Sequence, residues 1–207
     1  MSIIKLNNNG VKNATAFGSG VTSLGSMVFI KKLTASSSST LSFVDGASSV
    51  VLDNTYKEYL FTFKDIHPSE RQDFQFNMSV DGGSNYNVTK TSTFFRSQHA
   101  ENGNHGNLAY QSDKDLAQST NFQTLGQYLA VDGSDACSAG ILHLFNPSST
   151  TFVKHFTCTF NSLYESATNR EQFIAGYGNT TSAVDAIQFK MSSGNIDSGD
   201  ICLYGIA

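Results

Sequence analysis

Ile187, Phe189 and Met191 alternate with Gln188 and Lys190, the period-two pattern of a strand buried on one face. A Ser192-Ser193-Gly194-Asn195 cluster follows; Gly and Asn tolerate positive φ there, and serine hydroxyls can bond nearby backbone. Ile201 and Leu203 then resume strand spacing, so the segment predicts a closing hairpin. The same alternation recurs upstream. Tyr59, Phe61 and Phe63 share one face of a strand over residues 58–66. Phe74, Phe76, Met78 and Val80 alternate with Asp73, Gln75, Asn77 and Ser79, predicting a strand with one wet side, ended by an Asp81-Gly82-Gly83 hairpin signal. Met27, Phe29 and Leu33 alternate with Val28, Ile30 and Lys32, so both faces are partly apolar, as for a strand between two layers. A short strand over 40–44 follows a run of serines.

Residues 140–146 and 152–160 flank Pro147-Ser148-Ser149-Thr150 and predict another hairpin. Its simplest register opposes Leu142 to Phe156 and Leu144 to Lys154. Leu142, Leu144, Phe156 and Cys158 then share an apolar face. Ile141, His143 and Phe145 lie on the other, beside Val153, His155 and Thr157. With a strand at 173–176, nine to eleven short strands predict an all-β chain folded as a two-sheet antiparallel β-sandwich, jelly-roll-like. No segment has the pattern of a long amphipathic helix. The interior is expected to hold Phe61, Phe63, Phe74, Phe76, Leu142, Leu144, Phe156, Ile187, Phe189 and Leu203.

Two stretches break the pattern. Residues 1–24, with Asn7-Asn8-Asn9-Gly10 and Gly18-Ser19-Gly20, have neither period and read as a flexible N-terminal arm or a frayed terminus. Residues 25–207 then form the sandwich, with a polar insertion at about 97–137 rich in Asn, Gln, Ser and Gly. A long irregular segment inside a compact domain is functional, mobile or partly strand-bearing.

Composition narrows the function. Only 14% of the residues are charged and the net charge is −4, which leaves no basic footprint for nucleic acid. Lys31-Lys32 reads as a solvated edge pair. No apolar run reaches membrane-spanning length, and Met1-Ser-Ile-Ile-Lys-Leu lacks the core of a signal peptide. Cys137, Cys158 and Cys202 are odd in number and too far apart for a disulfide framework or a C-x-x-C zinc pair; Cys158 and Cys202 fall at strand positions, where Cys acts as a small hydrophobe.

Enzymatic signatures are lacking: there is no nucleophile elbow and no phosphate-cradling loop with its Lys, so neither catalysis nor a cofactor is expected. The hairpin register sets His143 beside His155, two imidazoles of the three or four ligands a zinc site needs. His99 and His105 flank Glu101 without a helical metal spacing. Asp81, Ser84 and Asn85 fit a hairpin turn as well as they fit a calcium loop.

Leu33-Thr-Ala-Ser-Ser-Ser-Ser-Thr-Leu-Ser-Phe, Asp53-Asn-Thr-Tyr-Lys-Glu-Tyr-Leu-Phe-Thr-Phe, Ile66-His-Pro-Ser, Val80-Asp-Gly-Gly-Ser-Asn-Tyr, Leu144-Phe-Asn-Pro-Ser-Ser and the closing segment occur in one order. In that order they resemble virion structural proteins of tailed bacteriophages, of the kind found in marine phages of cyanobacteria. The resemblance covers about residues 25–96 and 138–207. It implies a non-enzymatic component of the particle exterior: a capsid decoration protein, a head fibre or a tail-associated part. Such a protein is made in the host bacterial cytoplasm and resides in the virion. Its partners would be other virion proteins and further copies of itself.

The alternative is a host-surface or glycan-binding adhesin of the tail, using Tyr110, Tyr128 and Asn-rich loops on sugar; a depolymerase would need paired carboxylates in a cleft. Residues 97–136 discriminate, forming a concave aromatic cleft in an adhesin and a flat or subunit-facing surface in a structural protein. For self-assembly the candidate surface is Ile141, His143, Phe145, Val153 and His155; a lone sandwich leaves its apolar members, Ile141, Phe145 and Val153, wet unless the polar insertion covers them. Neither membrane insertion nor nucleic-acid binding is expected.

Overall fold

The computed structural model describes residues 27–131, 135–165 and 167–207; the expected N-terminal arm lies outside them. Twelve strands form among the described residues, and no helix. They are β1 (Met27–Ser38), β2 (Leu41–Val44), β3 (Glu58–Pro68), β4 (Phe74–Ser79), β5 (Lys90–Ala100), β6 (Asn107–Tyr110), β7 (Gln123–Gly126), β8 (Ser138–Phe145), β9 (Lys154–Tyr164), β10 (Thr168–Gly178), β11 (Ala186–Met191) and β12 (Ile196–Ile206).

The strands pair antiparallel in two sheets. The large sheet runs β1-β12-β3-β8-β9-β10-β5-β6 and the small one β2-β11-β4-β7. If the meander β8-β9-β10 is counted as one strand, β2 to β11 visit the two sheets in the order of a jelly roll, with β1 and β12 added along one edge. This is the expected fold.

Aromatic rings hold the sheets together. Phe189 on β11 packs against Phe43, Phe61, Phe63, Phe74 and Phe76, with ring centroids 5.2 to 6.4 Å apart. Phe156 and Phe160 of β9 close the cluster against Phe76 and Phe74. All ten expected interior residues are buried. Edge-to-face and offset pairs of this kind add to the area they bury.

Three local expectations are corrected. The turns at Asp81-Gly82-Gly83 and Ser192–Asn195 form, with Gly82, Gly83 and Gly194 at positive φ, yet neither closes a hairpin. β4 and β11 lie in the small sheet while β5 and β12 lie in the large one, so each turn carries the chain from sheet to sheet. A turn sequence dictates a reversal of direction, not the partner of the next strand. Ser192 N instead donates to Asp73 O (2.8 Å), and Asn195 N to Ser69 Oγ (2.9 Å).

The second correction concerns β1, which among the described residues is an edge strand paired only with β12, with Met27 and Phe29 exposed. The third concerns β4. Phe74, Phe76 and Met78 face the core as expected, but Val80 is exposed and the face expected to be wet is covered, with Asn77 and Ser79 fully buried.

Removing the ring at the centre of the aromatic cluster should leave a cavity that the two rigid sheets cannot close. Phe189→Ala is expected to cost about 3–5 kcal/mol, while Phe152→Ala, at a largely exposed ring, should stay within about 0.5 kcal/mol. Urea unfolding followed by circular dichroism measures both. Equal losses would mean that Phe189 is not the keystone.

Candidate functional surfaces

The hairpin of β8 and β9 forms, but its register is slipped by two residues from the simplest pairing: Leu142 opposes Cys158, Leu144 opposes Phe156 and His143 opposes Thr157. The loop between the strands is the cause. Residues 146–153 stay unpaired; Asn146 takes φ of 48° and its N–H donates to Lys57 O, while Val184 N donates to Pro147 O. An even slip keeps each side chain on its own face. Leu142, Leu144, Phe156 and Cys158 are therefore all buried, but His143 and His155 are not opposite one another. His143 Nδ1 bonds Glu58 Oε1 at 2.5 Å, and the His155 ring lies 5.9 Å from that of Tyr177. Among the described residues no group of three His, Cys, Asp or Glu gathers as a metal site would require.

These residues belong to the outer face of the large sheet. Register carries one row across it through Thr62, Ile141, Thr159, Phe173, Phe95 and Tyr110. A second row runs through Tyr204, Leu60, His143, Thr157, Ala175 and Thr93. Phe95 and Phe173 stack at 4.9 Å, and His143 lies against Phe145. Ile141 is 43% exposed and Phe145 36%, so the insertion does not cover them; Val153 sits half-buried in the loop beside them and His155 is exposed. The result is a broad face of threonines and apolar rings with few charges.

The polar insertion is woven into both sheets. It supplies the end of β5, then β6 at one edge of the large sheet and β7 at one edge of the small sheet. Residues 111–122 between them build a cleft on the outer face of the small sheet. Its floor is one cross-strand row, Lys190, Gln75 and Thr124. Its walls include Asp113, Lys114, Asp115, Asn121, Phe122 and Tyr86, around a volume of about 520 Å³.

The electrostatics of the cleft are largely settled internally. Lys114 Nζ lies 2.9 Å from Asp73 Oδ2, with both side chains nearly buried. Asp73 Oδ1 also accepts from Tyr128 N at 2.9 Å. Burial opposes the Lys114 charge, but the Asp73 hydrogen bond and carboxylate hold its pKa above the ordinary value. The Lys190 ammonium rests 4.4 Å from the centre of the Phe122 ring, a cation–π contact.

Tyr110 and Tyr128 flank this cleft without lining it. The Tyr110 hydroxyl donates to Asp115 Oδ2 at 2.5 Å, and the Tyr128 ring lies 4.6 Å from Lys114 Nζ. The rings that do line it, Tyr86 and Phe122, escaped the sequence reading. Phe122 stands alone among polar residues with no periodicity to flag it.

Beneath the cleft wall lies a fully buried lysine. Lys90, on the inner face of β5, donates to Asn77 Oδ1 (2.5 Å) and Val88 O (2.8 Å). Asn77 Nδ2 in turn donates to the carbonyls of Tyr86 (2.7 Å) and Thr120 (2.9 Å), which ties the cleft wall to β4. The chain matches no protein-family model, no curated protein and no solved structure.

Burial pushes the Lys90 ammonium from its ordinary 10.5 down to about 7. Between those values the unfolded chain holds a proton that the folded chain has released, so stability rises with pH across the window. Each pH unit adds at most about 1.4 kcal/mol. Urea melts at pH 7, 8 and 9 should show a rising midpoint that Lys90→Met removes. A wild-type midpoint that is flat or falling relative to the variant would refute the assignment.

Proposed function

We propose that this protein is a non-enzymatic structural component of the exterior of a tailed-phage particle, present in repeated copies. The observation that carries the reading is the bare outer face of the large sheet. Ile141, Thr159, Phe173 and Phe95 share one cross-strand row, and Phe145 stands beside it opposite Glu58; apolar side chains left exposed together in this way mark an interaction surface. The ordered motifs that resemble phage virion proteins point the same way. A jelly roll is an architecture used by capsid and lectin domains alike, and weak contacts repeated on a symmetric particle give strong avidity.

A second reading, a host-surface or glycan-binding adhesin of the tail, is favoured by the cleft. Residues 97–136 contribute a concave surface with an aromatic ring, Phe122, among amide and carboxylate groups. Small-molecule sites fall in this range of volume. The cleft opens on the opposite side of the sandwich from the proposed assembly face, so one chain can serve both roles.

Purified particles examined by cryo-electron microscopy should show the sandwich outside the shell or on the tail, with the β8–β9 face turned toward a neighbouring subunit. Phe145→Asp should leave the circular dichroism spectrum intact and abolish self-association in sedimentation. Absence of the protein from purified particles would refute the structural role. Unfolding by Phe145→Asp would mean that the face is internal.

The adhesin reading has its own measurement. Binding of the full chain to immobilised host-envelope saccharides should fall about tenfold or more in Phe122→Ala while sedimentation stays unchanged. Saccharide binding that is missing in the wild type, or equal in the variant, would discard that reading without touching the first.

A further inference from the structure

At the end of the sandwich away from Lys90, the inner face of the large sheet carries two arginines. Arg170 on β10 opposes Gln98, and Arg96 on β5 opposes Gln172, so the two lie diagonally on adjacent strands. Arg170 is only 5% exposed. Its guanidinium carbon lies 3.3 Å from the centre of the Tyr164 ring, and its Nε donates to Gln98 Oε1 at 3.1 Å. Its Nη1 is buried and finds no hydrogen-bond partner among the described residues, and the same holds for Nε of Arg96, whose Nη1 donates to Gln127.

Among the described residues no carboxylate comes within ion-pair distance of either arginine. Glu165, the acid whose charge acts on Arg170, is held by the Arg71 guanidinium and the Tyr164 hydroxyl. Arg170 borders a cavity of about 200 Å³ together with Gln98, His105, Tyr164, Glu165 and Thr168. His105 is exposed and Glu165 partly so, which opens the cavity to solvent.

We propose that this cavity is a binding site for a compact oxyanion, a carboxylate or sulfate group, received by the guanidinium of Arg170. A buried cationic donor without a partner is costly, and a guanidinium edge matches the oxygens of such a group with parallel hydrogen bonds. Stacking on Tyr164 and the bond to Gln98 fix the plane of the fork before the ligand arrives. Arg96 adds a second positive charge behind it, while Glu165 at the mouth opposes entry. The charge balance supports the same conclusion: burial first, then Arg96, draws the Arg170 pKa down to about 10, and a bound anion offsets both causes. The site stands apart from the outer face of the large sheet and from the cleft, and its occupancy does not depend on either functional reading.

The test uses the full chain with sodium sulfate, sodium acetate and galacturonate, each against sodium chloride at equal ionic strength. Saturable movement of the Arg170 side-chain Nε–H resonance should accompany a rise in the unfolding midpoint, as for any ligand bound only by the folded state. Arg170→Met should abolish both the site and the rise, and Arg170→Lys should weaken binding about tenfold. Glu165→Gln, at a solvent-facing group, should tighten it about threefold or more. Galacturonate tighter than acetate would assign the oxyanion to an acidic saccharide, and equal affinity would assign it to free anions; either supports the site. No saturable response in the wild type overturns the proposal. So does an undiminished response in Arg170→Met, or weaker binding in Glu165→Gln.

Discussion

Four strands cannot cover eight, and most of what is particular to this protein follows from that mismatch. Where the small sheet lies over the large one, the interface is an aromatic layer centred on Phe189. At its edge, the inner faces of β10 and β5 meet the edge strand β7 and the loops on either side of it. Loops bring backbone donors and acceptors that must be satisfied if they are buried. The strands answer with polar residues: Ser92 Oγ accepts from Leu116 N at 2.9 Å and bonds Gln123, and Gln172 accepts from Gln127 N. The flank is therefore a second core, built of amides, hydroxyls and cations.

That second core gives the insertion its shape. Asn77 holds the carbonyl of Thr120 within the 111–122 segment together with that of Tyr86, Lys90 holds that of Val88, and Asp73 receives Lys114, Thr124 and the backbone of Tyr128. A loop fixed at so many points is a wall, which is why a concave cleft can exist on the outside of a small sheet. A buried ion pair such as Asp73–Lys114 adds little net stability over an apolar pair, but removing one partner strands the other charge. Such pairs specify one arrangement of the chain, and here that arrangement is the cleft.

Much of the fold was legible because face is a local property. Period-two alternation placed Phe61, Phe63, Phe74, Phe76, Ile187 and Phe189 inward without knowledge of any partner, and even the slipped β8–β9 register left Leu142 and Leu144 in the core. Sheet membership was not legible, because the turns at Asp81 and Ser192 have the same chemistry whether they join neighbours or cross between layers. Nor was the polar core. Lys90, Arg170 and Gln172 look like outward positions in sequence, and only the strand-number mismatch turns them inward. The two candidate tyrosines were placed near the cleft by composition, whereas its lining depends on tertiary contacts of Phe122 and Tyr86.

The two outer faces of the sandwich differ in kind, and the difference follows from which sheet lies behind each. The large sheet is broad, and from β8 through β9 and β10 to β5 its register is unbroken, so its outward side chains fall into rows there, and rows of Thr, Ile and Phe suit a partner with the same periodicity. The small sheet is narrow, and the loops that compensate for its width rise above it to make a hollow. Flat surfaces favour contacts that repeat, while hollows favour a single ligand. An architecture that puts the first on one side and the second on the other leaves the hollow facing away from whatever the flat side is attached to. On the proposed reading this separation lets copies be added to a particle without closing the cleft, so that even a weak site gains strength from number.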